Sequence, residues 1–291
     1  MKKILLTGCQ GQLGRAIRRE YADTAEFMLT ELSAGEGFSA LDISDIHQVR
    51  SAVESFRPDA IINCAAYTNV DGCEKNYDLA YSANSIGPKN LAEAAAEYGA
   101  RLVHISTDYV FRGDGVRPYV ETDEPDPISA YGRTKLAAEN FIRDIFDDYL
   151  ILRTAWLYGE GKNFVRTMLA VAENHDEVSV VCDQKGSPTS ATQLAAMIHF
   201  LLDKDAAGIF HATCEGDTNW ADFTEEIYRL TKKEVRVNHV TSEQYAAANP
   251  DAANRPKYSI LENAHLKQMT DEFSMAHWLD AIAVYMGEMG Y

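Results

Sequence analysis

The chain has 291 residues, 46% of them hydrophobic and 24% charged, the balance of an ordinary globular protein with room for one large or two unequal domains. A formal net charge of −17 excludes a general nucleic-acid or anionic-membrane surface, though a pocket can still be locally basic for an anionic small ligand. No run approaches the roughly 18 apolar residues of a membrane span. Five scattered cysteines, with no Cys-x-x-Cys spacing, read as reduced thiols filling core and loops in a cytoplasmic protein.

The chain opens on a decoy. Lys2-Lys3 ahead of Leu5-Leu6-Thr7-Gly8-Cys9 imitates a lipoprotein signal, but Ile4-Leu5-Leu6 falls far short of a signal's apolar core of roughly 7–15 residues. The same residues read better as a strand over 3–7 breaking into Gly8-x-x-Gly11-x-x-Gly14, then a helix over 15–21. In that reading Gly8 allows the tight turn, Gly11 lets backbone N–H groups approach a pyrophosphate, and Gly14 lets helix and strand pack closely. The spacing has one residue more than the usual dinucleotide fingerprint between its first two glycines, so the flanking strand and helix carry the assignment.

Further strands are expected over 27–32, 60–64, 101–106 and 149–154. Helices are expected over 45–56 behind a Ser44 cap, over 84–98 and over 131–146. This alternation predicts βαβ units, a doubly wound parallel sheet of Rossmann type and helices on both faces. Past residue 156 the rhythm changes: a glycine loop, helices over 163–173, 192–202 and 220–230, and short strands over 178–182 and 208–213. The expected organisation is a dinucleotide-binding domain over 1–155 and a smaller mixed α/β substrate domain over 156–291, with a soft boundary and segments that can interleave.

An acidic residue near the end of the second strand is expected to meet the adenosine ribose. Glu31 stands there, and its charge disfavours a 2′-phosphate, while Arg15 and Arg18 on the first helix are placed to reach one. NADH and NADPH both remain open. Asp42 fits either the adenine amino group or a helix cap. Tyr-x-x-x-Lys sets a phenol and an ammonium on one helical face, where the charge lowers the phenol's proton affinity. It occurs three times, at Tyr131/Lys135, Tyr158/Lys162 and Tyr228/Lys232. Tyr158 lies in a glycine loop where no helix fixes the spacing. Tyr228/Lys232 reads as a surface pair, its lysine stem along the ring. Tyr131 follows a strand ending in Ser106-Thr107-Asp108-Tyr109, whose Thr107 offers a hydroxyl to the same substrate oxygen.

Gly-x-x-Gly-x-x-Gly, Asn63-x-Ala65-Ala66, Ser106-Thr107-Asp108-Tyr109-Val110-Phe111 and Tyr131-Gly-Arg-Thr-Lys135, in this order, resemble the extended short-chain dehydrogenase/reductases, and within them the dTDP-4-dehydrorhamnose reductases. The resemblance continues through Arg153-Thr-Ala-Trp156-Leu-Tyr158-Gly159, Asp183-Gln184-x-Gly186-x-Pro188-Thr189 and Arg255-Pro256-x-x-Ser259, over nearly the whole length. It implies reduction of the C4 ketone of dTDP-4-dehydro-L-rhamnose by NADPH or NADH, with Tyr131 as proton donor, Lys135 tuning that phenol and holding the nicotinamide ribose, and Thr107 orienting the carbonyl. It implies a cofactor seat from Gly8, Gln10, Gly11, Gln12, Leu13 and Gly14, with Glu31, Asp42, Ile43, Ala65, Ala66, Tyr67 and Asn84 around it. Thr68, Asp108, Tyr109 and Trp156 would line the sugar pocket, and Arg255, ahead of Lys162 and Arg166, would meet the diphosphate.

Some members bind a metal through acidic residues near the first helix. Here that turn reads Arg15-Ala16-Ile17-Arg18-Arg19, so no metal is expected, and the chain is expected as a monomer or weak homodimer without nucleic-acid or membrane partners. Two other functions share parts of this pattern. A sugar-nucleotide dehydratase or epimerase of the same superfamily differs at Tyr109, where the dehydratases carry a glutamate base. A catalytically idle, cofactor-binding regulatory subunit would not need Thr107, Tyr131 and Lys135 together.

Overall fold

A computed structural model describes residues 1–250 and 252–291. Strands β1 (Lys2–Thr7), β2 (Ala25–Glu31), β3 (Ser39–Ala40), β4 (Ala60–Asn63), β5 (Arg101–Thr107) and β6 (Tyr149–Thr154) form one parallel sheet with a seventh strand, Gly208–His211. The order runs from Gly208–His211 through β6, β5, β4 and β1 to β2 and β3. Chain order reverses beside β1, and the carboxyl ends of β1 and β4 open a crevice there, the usual ligand position of a doubly wound sheet.

Period-two alternation builds two cores. Ile4, Leu6, Ile62, Val103, Leu150 and Leu152 join one apolar cluster with helix α1 (Gln12–Glu20) and helix Ala191–Asp203. Leu5, Ile61, Leu102 and Ile151 face the other way, onto helices α2 (Ile46–Phe56) and α5 (Gly87–Tyr98). Strands buried on both faces therefore read as unbroken apolar runs. Between β4 and α5 the chain makes two short helices, α3 (Val70–Lys75) and α4 (Tyr77–Tyr81), and a π-helical turn, Ser82–Ile86. Helix α6 (Ala130–Ile145) follows, its first turn capped by the Ser129 hydroxyl accepting from Gly132 N–H at 3.1 Å.

Several details depart from the sequence reading. The cap of α2 is Asp45, which accepts from His47 and Gln48 N–H, and not Ser44. Ser44 donates its own N–H and hydroxyl to Asp42 at 2.9 and 2.7 Å. An aspartate two residues ahead of a serine is the better acceptor in such a turn. Residues 191–211 return from the second half to cover and extend the sheet of the first. Tyr228 is not at the surface: it is 3% exposed and donates its hydroxyl to Met168 O at 3.1 Å. Lys232 stands beyond the helix in a left-handed conformation, φ 53°, so it does not share a helical face with that ring. The parallel pair Glu177–Val181 and Arg236–Val240, and helices Ser242–Ala248, Ala264–Met269 and Trp278–Glu288, complete the smaller layer. Among the described residues no helix is long and apolar enough to cross a membrane.

Candidate active site

The glycine turn has the construction that its spacing requires. Gly8 holds φ +66°, and a Cβ there would lie 2.7 Å from the Cys64 backbone at the end of β4. A Cβ on Gly14 would come within 2.2 Å of Gly8 O, so only glycine lets α1 approach the strand this closely. Gly11 differs, since its nearest atom would be Gly8 O at 3.3 Å and its outer side is open. It caps α1 without a side-chain hydrogen bond, leaving first-turn N–H groups and the positive end of the helix dipole free for an anion.

That turn forms one end of a cleft of about 1000 Å³. Gly8, Gln10, Gly11, Gln12, Leu13 and Gly14 line it, with Glu31, Asp42 and Ile43 along one side. Ala65, Ala66, Tyr67 and Thr68 continue from the end of β4 toward Thr107, Asp108, Tyr109, Tyr131, Lys135 and Trp156. An elongated, mostly apolar cleft with a glycine-lined anion seat at one end and convergent polar groups at the other fits a dinucleotide lying beside a second ligand.

Glu31 lines the cleft and also braces it. Its Oε1 accepts from Gln10 N–H at 2.6 Å and ties the glycine turn to β2. Arg15 donates from Nε to Gln10 O at 2.8 Å and from Nη1 to Glu160 at 2.6 Å, and Arg19 reaches the same carboxylate at 2.8 Å. Arg15 is thus committed to the mouth of the cleft rather than free for a 2′-phosphate.

Two expected residues stand elsewhere. Asn84 is fully buried in the π-helical turn and does not line the cleft. Its amide accepts from Tyr67 N–H at 2.7 Å and donates to Tyr67 O at 3.0 Å and to Thr134 at 3.2 Å, so it shapes the wall from behind. Arg255 also lies outside the lining, with Nη2 paired to Asp71 at 2.9 and 3.0 Å. Arg166 donates to the Tyr285 hydroxyl at 3.2 Å, so of the three basic candidates Lys162 alone lines the cleft.

Helix α6 presents Tyr131 and Lys135 on its cleft face. It sits close because Gly132 carries no Cβ: one would meet Tyr109 O at 2.1 Å. The Tyr109 and Tyr131 rings meet edge to face, 5.7 Å apart. Thr107 stands beside Tyr131, and its hydroxyl donates to Asp108 Oδ1 at 2.9 Å and accepts from Tyr109 N–H at 3.2 Å. Burial pushes the Tyr131 phenol upward, with Asp108 and Cys73 acting the same way and Thr107 opposing them. The expected lowering of this phenol by Lys135 is therefore not found. The lysine turns away and donates to Ile105 O at 2.5 Å, with His104 Nε2 3.2 Å off. Burial pushes Lys135 down to about 8, while Glu139 and Cys64 pull the other way. Asp108 is raised to about 6 by burial, against bonds from Ser259 and Thr107, and its Oδ2 is buried without a hydrogen-bond partner.

Sequence reasoning missed Trp220. It stacks on Trp156 with ring centroids 3.6 Å apart and an interplanar angle of 10°, and both line the cleft. Trp156 holds φ +49°, an unfavourable conformation for a large residue that the stack and the close backbone of Gly186 keep in place. No local signal marks a pair 64 residues apart. Tyr158, the rival phenol, is 1% exposed in the core with its hydroxyl unpartnered. Among the described residues, Asp222, Glu225 and His239 lie near enough to share an ion, but all three are exposed and none lines the cleft.

The profile of the RmlD substrate binding domain matches residues 1–290. A dTDP-4-dehydrorhamnose reductase of Streptomyces griseus is 42% identical over 286 residues, covering 96% of this chain and 91% of that one. The crystal structure of a dTDP-4-dehydrorhamnose reductase from Clostridium acetobutylicum superposes with a TM-score of 0.94 at 44% identity, over 99% of this chain and 100% of the other. That of the Bacillus anthracis dTDP-4-dehydrorhamnose reductase in complex with NADP gives 0.92 at 38%, over 99% of each. Sequence, fold and cleft thus agree, and the chain belongs to the RmlD substrate binding domain family.

Proposed function

We propose that this chain reduces the C4 ketone of a dTDP-4-dehydro-6-deoxy sugar, dTDP-4-dehydro-L-rhamnose by first choice, to the alcohol. The observation that carries the reading is the convergence of Thr107, Tyr131 and Lys135 on one cleft whose far end is a glycine-lined anion seat. NADPH or NADH bound there would supply hydride to C4. The glycine turn and the start of α1 would hold its pyrophosphate, Glu31 and Ile43 would flank its adenosine half, and Ala65 and Ala66 would leave room along the end of β4.

Tyr131 holds a proton at its hydroxyl at neutral pH, because burial and the neighbouring Asp108 disfavour the phenolate. A ketone reduction needs a protonated donor, so the upward shift suits this direction. Thr107 aligns the carbonyl oxygen with that hydroxyl. Lys135, directed to Ile105 O and not to the phenol, carries its charge on the same face of α6, where the nicotinamide ribose would lie. Asp108 offers its free Oδ2 to a sugar hydroxyl, and the Trp156–Trp220 stack gives the sugar or base a flat apolar wall. Dehydration is disfavoured because Tyr109, standing where a base is needed, is itself driven up by burial and Asp108. The strong net negative charge suits a monomer or weak homodimer, and the five free thiols suit the cytoplasm.

The test is reduction of dTDP-4-dehydro-L-rhamnose followed by the absorbance of the reduced nicotinamide, with wild type and Tyr131→Phe. Losing the phenol hydroxyl should cut kcat by about 10²–10⁴-fold with cofactor binding kept. A variant as fast as wild type would remove Tyr131 as donor. A wild type that binds cofactor yet leaves the sugar unreduced would sink the substrate assignment.

A further inference from the structure

Behind the lysine lies a chain of buried polar groups that the proposed reaction does not itself use. His104 on β5 is fully buried, with Nε2 3.2 Å from Lys135 Nζ and Nδ1 3.0 Å from Asn63 Nδ2. The Asn63 oxygen receives the Thr7 hydroxyl at 2.6 Å and Ala65 N–H at 3.2 Å. Hydrogen-bond chemistry fixes this orientation. A backbone N–H only donates, so the amide atom it faces is the oxygen. A separation of 2.6 Å is also an O–H···O length and shorter than N–H···O contacts run. The Asn63 NH₂ therefore donates to the imidazole, and Nδ1 of His104 is the acceptor. Burial, then the Lys135 charge, keeps the ring neutral. A neutral ring with a bare Nδ1 carries its hydrogen on Nε2, the atom that faces Lys135.

An N–H in that position suits an amine, which can accept, and opposes an ammonium, which only donates. Lys135 already donates to Ile105 O at 2.5 Å. A neutral amine satisfies both contacts, and an ammonium satisfies one. We infer that His104, locked in its Nε2–H tautomer by Asn63, Thr7 and Ala65, is a positioning residue that makes Lys135 release its proton readily toward the cleft. The inference rests on the reductase reading proposed above and adds to it a proton-transfer role for Lys135. As the Tyr131 O–H bond breaks and the substrate O–H bond forms, Lys135 gives a proton to solvent in the cleft, which returns one to the phenolate. The resulting amine accepts the His104 Nε2–H and later regains a proton from solvent. The other ionisable groups facing this point are Glu139 from α6 and Cys64 beyond β4, which favour the ammonium, and Arg153 from β6, which is paired to Glu139. Among the groups facing Lys135, His104 is the one whose hydrogen opposes the ammonium.

Long-range ¹H–¹⁵N correlation of the imidazoles reads the tautomer directly, with the His104 signal identified in the wild type by its nuclear Overhauser contact to the Asn63 side-chain amide. The expected ring has a protonated Nε2 and a bare Nδ1 throughout the neutral range. A protonated Nδ1, alone or in an imidazolium, would overturn the inference, and this measurement on wild type stands even if no variant folds. Single-turnover reduction against pH gives the second readout, since the rate falls as the ammonium is lost on the alkaline side. His104→Asn keeps a partner for Asn63 and removes the Nε2–H, so that limb should move up by about one pH unit, a tenfold change in proton affinity. An unmoved limb would overturn the proposal. Asn63→Asp demands Nδ1–H and adds a negative charge, and should move the limb further up; a limb at or below the wild-type position counts against it. A wild type without reductase activity would refute the proposed function, and the imidazole spectrum would still decide the tautomer.

Discussion

The buried ion pair behind the site gives a prediction whose size follows from its surroundings. Arg153 and Glu139 are 2% and 0% exposed, joined at 2.6 Å with further contacts from Nε at 3.0 and 3.2 Å. Ser106 donates to the same carboxylate at 2.5 Å. The pair links β6 to α6 one turn beyond Lys135, and to β5 one residue before Thr107, so it holds the three catalytic candidates in register. Arg153→Met leaves a carboxylate buried without its cation, a loss of about 3–5 kcal/mol when it stays charged. Taking up a proton caps that loss. For a carboxyl of ordinary acidity, near 4.3, neutralisation costs about 3.7 kcal/mol at pH 7 and about 1 kcal/mol at pH 5. The folded variant then holds a proton that its unfolded chain releases, so its stability falls as pH rises above about 4.3. Urea denaturation followed by tryptophan fluorescence, with wild type subtracted at each pH, should show a penalty smaller by about 2–3 kcal/mol at pH 5 than at pH 7. Arg153→Met with Glu139→Gln should regain most of the loss at pH 7 and show no such pH dependence. An equal penalty at both pH values, or a double variant no more stable than the single one, would refute the reasoning.

Tyr158→Phe removes a buried hydroxyl that has no partner, so stability should hold or rise by about 1 kcal/mol while reduction stays near the wild-type rate; a kinetic loss like that of Tyr131→Phe would show that the wrong phenol had been chosen. Glu31→Ala removes the acceptor of Gln10 N–H and the charge near the ribose, so it should weaken NADH by about 1.5–3 kcal/mol and NADPH by less, measured by quenching of protein fluorescence. Equal losses would make Glu31 a brace for the turn alone.

The local sequence determined a good deal of this protein by itself. Continuous apolar runs broken by glycine or an acidic cap force strands buried on both faces, and their alternation with amphipathic stretches leaves few ways to build anything but a doubly wound sheet. Gly8 and Gly14 are demanded by backbone that a Cβ would strike, and Gly11 leaves the start of α1 open, all within seven residues. Helical spacing put Tyr131 and Lys135 on one face for the same local reason. Tertiary structure decided what depends on distant partners. It turned Lys135 toward His104 and Ile105, and burial, with Asp108 beside it, drove the phenol up. It spent Arg255 on Asp71 and Asn84 on Tyr67, and it buried Tyr228. It brought Trp220 onto Trp156, and it carried residues 191–211 back to the first sheet. Spacing along a chain fixes which faces neighbouring residues share. Which charge finds which counter-charge, and how much water remains beside it, is settled only when elements far apart in sequence pack together.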